Sequence, residues 1–303
     1  MNIKNFITKS YLTLQIAALT LMPTAKAAAQ NKAPDKKLFS VSYGLENMSY
    51  QWTNFSGSHV SYNNMPLRGV TAEYGNGSRD YYAGFLGANG GSFIDEDLQK
   101  RKSDKQIGVS YDLPVFKLFA GTDKKLSFPN RFNAELRREF EYSLTEIKTY
   151  YPRFIYIDPD QSVASIYQAE DHRPEKANRY DMHQLAMQFR LTKDFKKKRA
   201  YAKVSAAGGP GLGLDIADWT WRPDYAHPIS FMHLNLNAVF DVRVLAGIKI
   251  CKNLNAEISG GTKFSKSLAA AQLDFCPQGI YGGQYVKDAI ISTAYVSFRI
   301  KFQ

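Results

Sequence analysis

Between Met232 and Ile250 every second residue is apolar: Met232, Leu234, Leu236, Ala238, Phe240, Val242, Val244, Ala246, Ile248 and Ile250. The intervening positions are mostly polar, among them His233, Asn235, Asn237, Asp241, Arg243 and Lys249. A period of two is strand geometry with one face in an apolar medium and the other in a polar one. A strand inside a soluble α/β core is apolar on both faces, and a typical globular strand ends after about 5–6 residues. Alternation this long predicts a strand that crosses a membrane as part of a β-barrel.

The same pattern recurs. Ile290, Ala294, Val296, Phe298, Ile300 and Phe302 alternate with Thr293, Tyr295, Ser297, Arg299 and Lys301. Leu185, Met187, Phe189 and Leu191 alternate with Gln184, Gln188, Arg190 and Thr192. Further alternating stretches lie at 131–144 and 254–264, and weaker ones at 38–52, 66–74, 79–87, 105–113 and 200–214. The fold class this predicts is all-β: a transmembrane antiparallel up-and-down barrel of about ten strands, with eight to twelve left open. The connections at 76–78, 196–199 and 252–253 are short, while those at 53–65, 88–104, 149–179, 215–230 and 265–284 are long. Short periplasmic turns and long outer loops are the expected arrangement. The stretch 114–130 is then an exceptional long connection on the short-turn side, and 156–168 could pair as an extra hairpin inside the longest loop. Arg138 falls on the lipid-facing parity, which calls for a bulge at Arg137-Arg138 or a place at the membrane interface.

The N-terminus does not follow this pattern. Lys4 and Lys9 precede an apolar segment at 16–22, followed by Ala25-Lys26-Ala27-Ala28-Ala29. This reads as a cleaved signal peptide, with processing after Ala27 or Ala29, leaving residues 30–303 as the barrel. Loss of Lys4, Lys9 and Lys26 lowers the formal charge from +11 to +8. An exported basic barrel meets lipopolysaccharide phosphates before any nucleic acid, so nucleic acid is not an expected partner. Cys251, at a short turn, and Cys276, in a long loop, fall at opposite rims and are not expected to form a disulfide.

The leader, the alternating strands and the terminal Tyr295-Val296-Ser297-Phe298-Arg299-Ile300-Lys301-Phe302 resemble the small outer-membrane β-barrel proteins of Gram-negative bacteria, the porin-like class. That resemblance implies an outer-membrane location, contact with outer-membrane lipid and lipopolysaccharide, and assembly by the machinery that reads an amphipathic last strand ending in an aromatic residue. Here Gln303 follows Phe302. The resemblance leaves activity and oligomeric state open.

Candidate chemistry is sparse. Asp95-Glu96-Asp97 with Asp181-Met182-His183 resembles in outline the omptin surface proteases, which implies water activation by Asp95, Asp97, Asp181 and His183. Against this, Asp181 and His183 share parity with Leu185 and Met187, so a regular strand turns them outward. Inward parity collects Glu73, Glu135, Arg137, Glu139, Glu141, Arg190, Lys203, Asp241, Arg243, Glu257, Lys263, Arg299 and Lys301. Open ion pores tend to segregate one sign of charge. Interleaved signs point to internal ion pairs that fill a closed or narrow lumen. Gly208-Gly209-Pro210-Gly211-Leu212-Gly213 lacks the βαβ context of a phosphate loop and reads as strand glycine. Trp219 and Trp221 fall in a long loop, His233 reads as an inward polar residue, and no residue pattern calls for a metal or cofactor. Three functions follow: a non-enzymatic barrel that is structural or surface-interacting, a narrow porin for small solutes, or an omptin-like surface hydrolase.

Overall fold

A computed structural model describes residues 38–54, 59–98, 105–111, 113–127, 134–149, 153–157, 164–168, 178–218, 230–282 and 286–302. The expected leader and the Trp219–Trp221 segment lie outside these residues. The described chain is all-β. Its strands are β1 (Leu38–Asn54), β2 (His59–Gly75), β3 (Arg79–Asn89), β4 (Ser92–Leu98), β5 (Lys105–Tyr111), β6 (Pro114–Leu126), β7 (Ala134–Thr149) and β8 (Arg153–Ile157). They continue as β9 (Ala164–Gln168), β10 (Asn178–Lys197), β11 (Ala200–Asp218), β12 (Phe231–Cys251), β13 (Leu254–Cys276), β14 (Gly279–Gly282) and β15 (Val286–Phe302).

Ten of these close into an antiparallel barrel in the order β1, β2, β3, β6, β7, β10, β11, β12, β13, β15, with β15 returning to β1. Hydrogen-bonded partners followed once round the wall lead from Lys197 through Ala200, Ile248, Ala256, Ile300 and Val41. From Val41 they run through Ala72, Ala83, Ala120 and Tyr142 back to β10 at Leu185. The offset from Lys197 to Leu185 is a shear of twelve residues, which for ten strands means a tilt of roughly 40°.

Outward side chains confirm which parity meets lipid. Leu234, Phe240, Val242, Val244, Ile248 and Ile250 are all exposed, whereas His233, Asn235, Asn237 and Asp241 are buried. The first charged outward residue above the apolar band is Lys266 on β13 and, after His183, Asp181 on β10. Corrected for the shear, His183 and Lys266 stand at nearly the same height. From Leu254 to that level a tilted strand rises roughly 30 Å, the thickness of a hydrocarbon layer. The strands do not stop there. Since a crossing needs only about 9–11 residues, the seven wall strands of 17–23 residues (β1, β2, β10, β11, β12, β13 and β15) project well beyond the outer interface.

That projection corrects several expected boundaries. Much of 53–65, 88–104, 149–179 and 265–284, expected as loop, is strand. Outside the bilayer the wall needs no lipid-facing alternation, so the dyad signal fades while the ladder continues. The stretch 105–113 is not a barrel strand: β5 pairs β4 and β8 above the barrel. The wall strand is β6, paired to β3 and β7 along its length, with Phe116 and Leu118 outward and exposed. Pro114 opens it, a position where a missing amide donor is tolerated. The exceptional long connection at 114–130 therefore disappears. The 156–168 hairpin forms as β8 with β9.

No bulge occurs at Arg137-Arg138, where the pairing to β10 is continuous. Arg138 lies beside Lys124 and places its guanidinium 5.1 Å from the Phe140 ring centroid. Cys251 pairs with Leu254 and Cys276 with Gly279, at opposite ends of β13. Gly209 sits in mid-strand facing β10. A Cβ there would stand 2.0 Å from the Met187 carbonyl oxygen, so the two backbones approach as closely as they do only with glycine.

Candidate functional site

Inward side chains form three layers. At the periplasmic end, Arg137 on β7 reaches Asp80 at 2.8 Å and Glu135 at 2.5 Å. It also bonds Asp123 and donates to the Gly77 carbonyl in the β2–β3 turn. One guanidinium thus ties three strands and a turn, using the fan of donors that arginine alone presents.

The middle layer surrounds a cavity of about 220 Å³. Arg190 pairs bidentately with Glu139 (2.5 and 2.9 Å) and reaches Asp241 at 2.5 Å. Asp241 also accepts from Tyr295 at 2.8 Å, and Arg243 donates to the Tyr295 hydroxyl at 3.1 Å. Lys263 bonds Glu141, which accepts from Tyr82 at 3.0 Å. Lys117 meets Glu46 at 2.6 Å, and Arg299 meets Glu73 at 2.9 Å and Glu257 at 3.8 Å. Charges of both signs alternate round the wall, so each ion has a counter-ion within reach. An unpaired charge here would face a desolvation cost of several kcal/mol.

The outer layer is different in kind. Met48, Tyr50, Trp52, Val60, Tyr62, Met65, Leu67, Leu113, Val115, Ile147, Tyr180, Met182 and Phe231 point inward and bury almost completely against one another. Their rings pack at 5.4 Å (Tyr50–Tyr180), 5.5 Å (Tyr62–Tyr180) and 5.8 Å (Trp52–Phe231). This is a hydrophobic plug at and above the outer interface.

One carboxylate stands inside it. Asp215 on β11 accepts from Tyr50 at 2.7 Å, Asn235 at 3.0 Å and Tyr180 at 3.4 Å, all on one oxygen. Burial pushes its pKa up to about 6 against those three hydrogen bonds, and burial with the nearby carboxylate raises both tyrosines well above their ordinary value. His233, the cross-strand neighbour of Asp215, is fully buried and shares a hydrogen bond of 2.9 Å between its Nε2 and Gln272. Burial lowers its pKa to about 4, which keeps the ring neutral.

The residues singled out from sequence distribute as follows. Glu73, Glu139, Glu141, Arg190, Asp241, Arg243, Lys263 and Arg299 line the cavity. Arg137 and Glu135 close the periplasmic layer, Glu257 is buried against Arg299, and Lys203 approaches Asp194 at 3.7 Å. Lys301 pairs in register with Ser40 and Asn255. The four hydrolase candidates do not share one strand pair. Asp95 and Asp97 lie on β4, beside β2 and β5. Asp181 and His183 lie on β10, on the parity that faces out: Arg179 holds Asp181 at 2.9 Å, and Tyr142 bonds His183 at 2.9 Å. Among the described residues no group of three or more His, Cys, Asp or Glu is placed to hold a metal ion.

The plug was not foreseen from sequence, although a signal exists. Near their outer ends several strands turn apolar on both parities, as at Phe231-Met232 and Ile216-Ala217. Lys117 and Asp123 were missed because their strand was read as a connection.

No family model and no curated protein matches the chain. Among solved structures, it is similar to the outer membrane protease OmpT from Escherichia coli, with a TM-score of 0.66 and 12% identity over 91% of this chain and 99% of that one. The translocator domain of the autotransporter NalP from Neisseria meningitidis aligns at a TM-score of 0.36 and 8% identity, over 98% of this chain and 97% of that one. The Pseudomonas putida toluene transporter TodX aligns at 0.30 and 8%, over 89% and 90%. The first likeness is one of fold: this chain has the fold of an outer-membrane β-barrel.

Proposed function

We propose that this protein is a closed, non-conducting, non-enzymatic barrel of the Gram-negative outer membrane, exported by its leader. Its work would be done by the walls and loops that project from the cell surface. The plug carries this reading. A solute crossing the lumen would have to displace Tyr50, Tyr62, Tyr180, Met65 and Leu67, each about 1% exposed or less. Below them it would have to separate the Arg190–Glu139–Asp241 and Arg137–Asp80 ion pairs. Lipopolysaccharide is the expected surface contact, through outward cations at the outer interface such as Lys148, Arg179 and Lys266.

Among the described residues the plug interrupts the lumen, which weighs against the porin reading, and Asp181 and His183 sit on the outward parity of β10, which weighs against the hydrolase reading. Conductance in a planar bilayer decides between barrel and pore. Folded protein, recognised by its heat-dependent migration, is expected to be silent at both polarities and over a range of salt. Discrete, ion-selective steps would transfer the function to the lumen. Alanine at Asp97 and His183 addresses the hydrolase: a surface peptidase activity abolished by either change would overturn the non-enzymatic reading.

A further inference from the structure

The inner edge of the apolar exterior is uneven. At the periplasmic end five neighbouring wall strands present apolar residues outward: Val204, Ile248, Ile258, Ile300 and Val41 on β11, β12, β13, β15 and β1. On β3, β6 and β7 the outward parity instead delivers Arg79, Lys124 and Arg138. These are direct cross-strand partners, Arg79 with Lys124 and Lys124 with Arg138. Three cations thus stand in one row, on adjacent strands about 5 Å apart. Like charges placed opposite one another destabilise a sheet, so the row calls for a counter-ion.

The chain does not supply one. Among the described residues none of the three has an ion pair. The acids of these strand ends, Asp80, Asp123 and Glu135, point inward and are held by Arg137. Arg138 lies over the Phe140 ring, and neither its Nε nor the Oγ1 of nearby Thr122 has a hydrogen-bond partner among the described residues.

The row lies where lipid headgroups do. On β10 the outward His183 and Lys193 are ten residues apart, a tilted rise of roughly 25 Å that matches a barrel's apolar band. Lys193 therefore marks the inner interface beside the row. Arg138 pairs with Phe189, four residues above Lys193, which with the shear puts its Cα roughly 7 Å inside the band. An arginine side chain spans that distance back to the headgroups. Above the row the outward side chains come in pairs: Tyr81 with Thr122, Ala83 with Ala120, then Phe85 with Leu118. Charge, hydroxyl, small apolar and large apolar is the polarity of a glycerophospholipid read from phosphate to acyl chain.

We propose that the outer face of β3, β6 and β7 binds one anionic glycerophospholipid of the periplasmic leaflet. Its phosphate sits on Arg79, Lys124 and Arg138, and its ester oxygens meet the hydroxyls of Tyr81 and Thr122. An acyl chain lies over Ala83 and Ala120, where small side chains leave room against the wall. A net-negative headgroup is favoured over a zwitterionic one, whose ammonium would add to an already uncompensated positive row. The inference rests on reading the chain as an outer-membrane barrel with its short turns in the periplasm. It does not depend on whether the lumen conducts.

The test is native mass spectrometry of the folded chain released from nanodiscs of equal phosphatidylglycerol and phosphatidylethanolamine. The native chain is expected to keep one phosphatidylglycerol, at about tenfold excess over phosphatidylethanolamine, and Lys124→Gln with Arg138→Gln to lose that excess. Lys249→Gln with Lys252→Gln removes the same charge at the same end, across the barrel, and is expected to keep it. Arg79→Gln, at the exposed start of β3, serves if the first double variant does not fold. Equal retention of the two lipids by the native chain, or an equal loss in both double variants, overturns the site. Both leaflets of a nanodisc carry the same mixture, so retention reports on the site alone. Failure of the outer-membrane reading shows separately, as absence of the chain from the outer-membrane fraction of cells.

Discussion

Tyr50 and Asp215 meet across the lumen. The tyrosine hydroxyl on β1 donates to the carboxylate on β11 at 2.7 Å, although neither strand is a neighbour of the other in the wall. The bond therefore fastens opposite sides of the barrel through the middle of an apolar plug. Removing the hydroxyl leaves a buried carboxylate with fewer donors. Tyr50→Phe is expected to cost about 1.5–3 kcal/mol at pH 8, the range for hydrogen bonds to charged groups. Urea unfolding in lipid vesicles, followed by tryptophan emission, measures it; an unchanged midpoint would show that Tyr180 and Asn235 suffice.

The same carboxylate sets a pH dependence. Its folded pKa of about 6 lies above the ordinary carboxylate value, so the folded state binds the proton more tightly than the unfolded state does. The associated stability is fully present below about pH 4 and is lost as pH rises through 6, amounting to roughly 3 kcal/mol. Asp215→Asn is expected to flatten that slope between pH 4 and 7. A variant that kept the slope would assign it to another group.

In the cavity layer, Arg190 neutralises both Glu139 and Asp241. Arg190→Met would strand two acids in a confined space, at a cost of about 3–5 kcal/mol. The expected readout is a lower temperature for loss of the compact, fast-migrating form on a gel. Restoring that temperature by adding Glu139→Gln and Asp241→Asn would trace the loss to the unpaired acids.

If the plug is what silences the barrel, thinning it should open a path. Tyr62→Ala with Tyr180→Ala removes two rings packed at 5.5 Å, whose loss costs about 3–5 kcal/mol each where the site does not collapse. Small, flickering conductance steps are expected where the parent is silent. Continued silence from the folded double variant would place the seal in the ion-paired layers.

Gly209 offers a backbone test. Alanine there would bring a Cβ against the Met187 carbonyl and force β10 from β11. Gly209→Ala is expected to lower the yield of folded barrel severalfold, while Gly208→Ala, whose Cβ would meet the Phe240 ring at 3.3 Å and the Val239 carbonyl oxygen at an ordinary 3.7 Å, is expected to be tolerated.

The dyad alternation along the strands, longest between Met232 and Ile250, by itself determined the fold class, the inward and outward parities, and through them most of the charged side chains of the lumen, though not Lys117 and Asp123 on β6. Lipid imposes a strict period of two, and that constraint is local and legible. The tertiary structure alone decided which of those charges meet, because Arg190 finds Glu139 and Asp241 on two other strands only once the shear of the closed wall is set. It also decided the plug. Above the bilayer nothing forces polar residues inward, so Tyr50, Tyr62 and Tyr180 are free to pack across the lumen, and their parity alone does not reveal that they converge. The same release from lipid let the wall continue through stretches that read as loops.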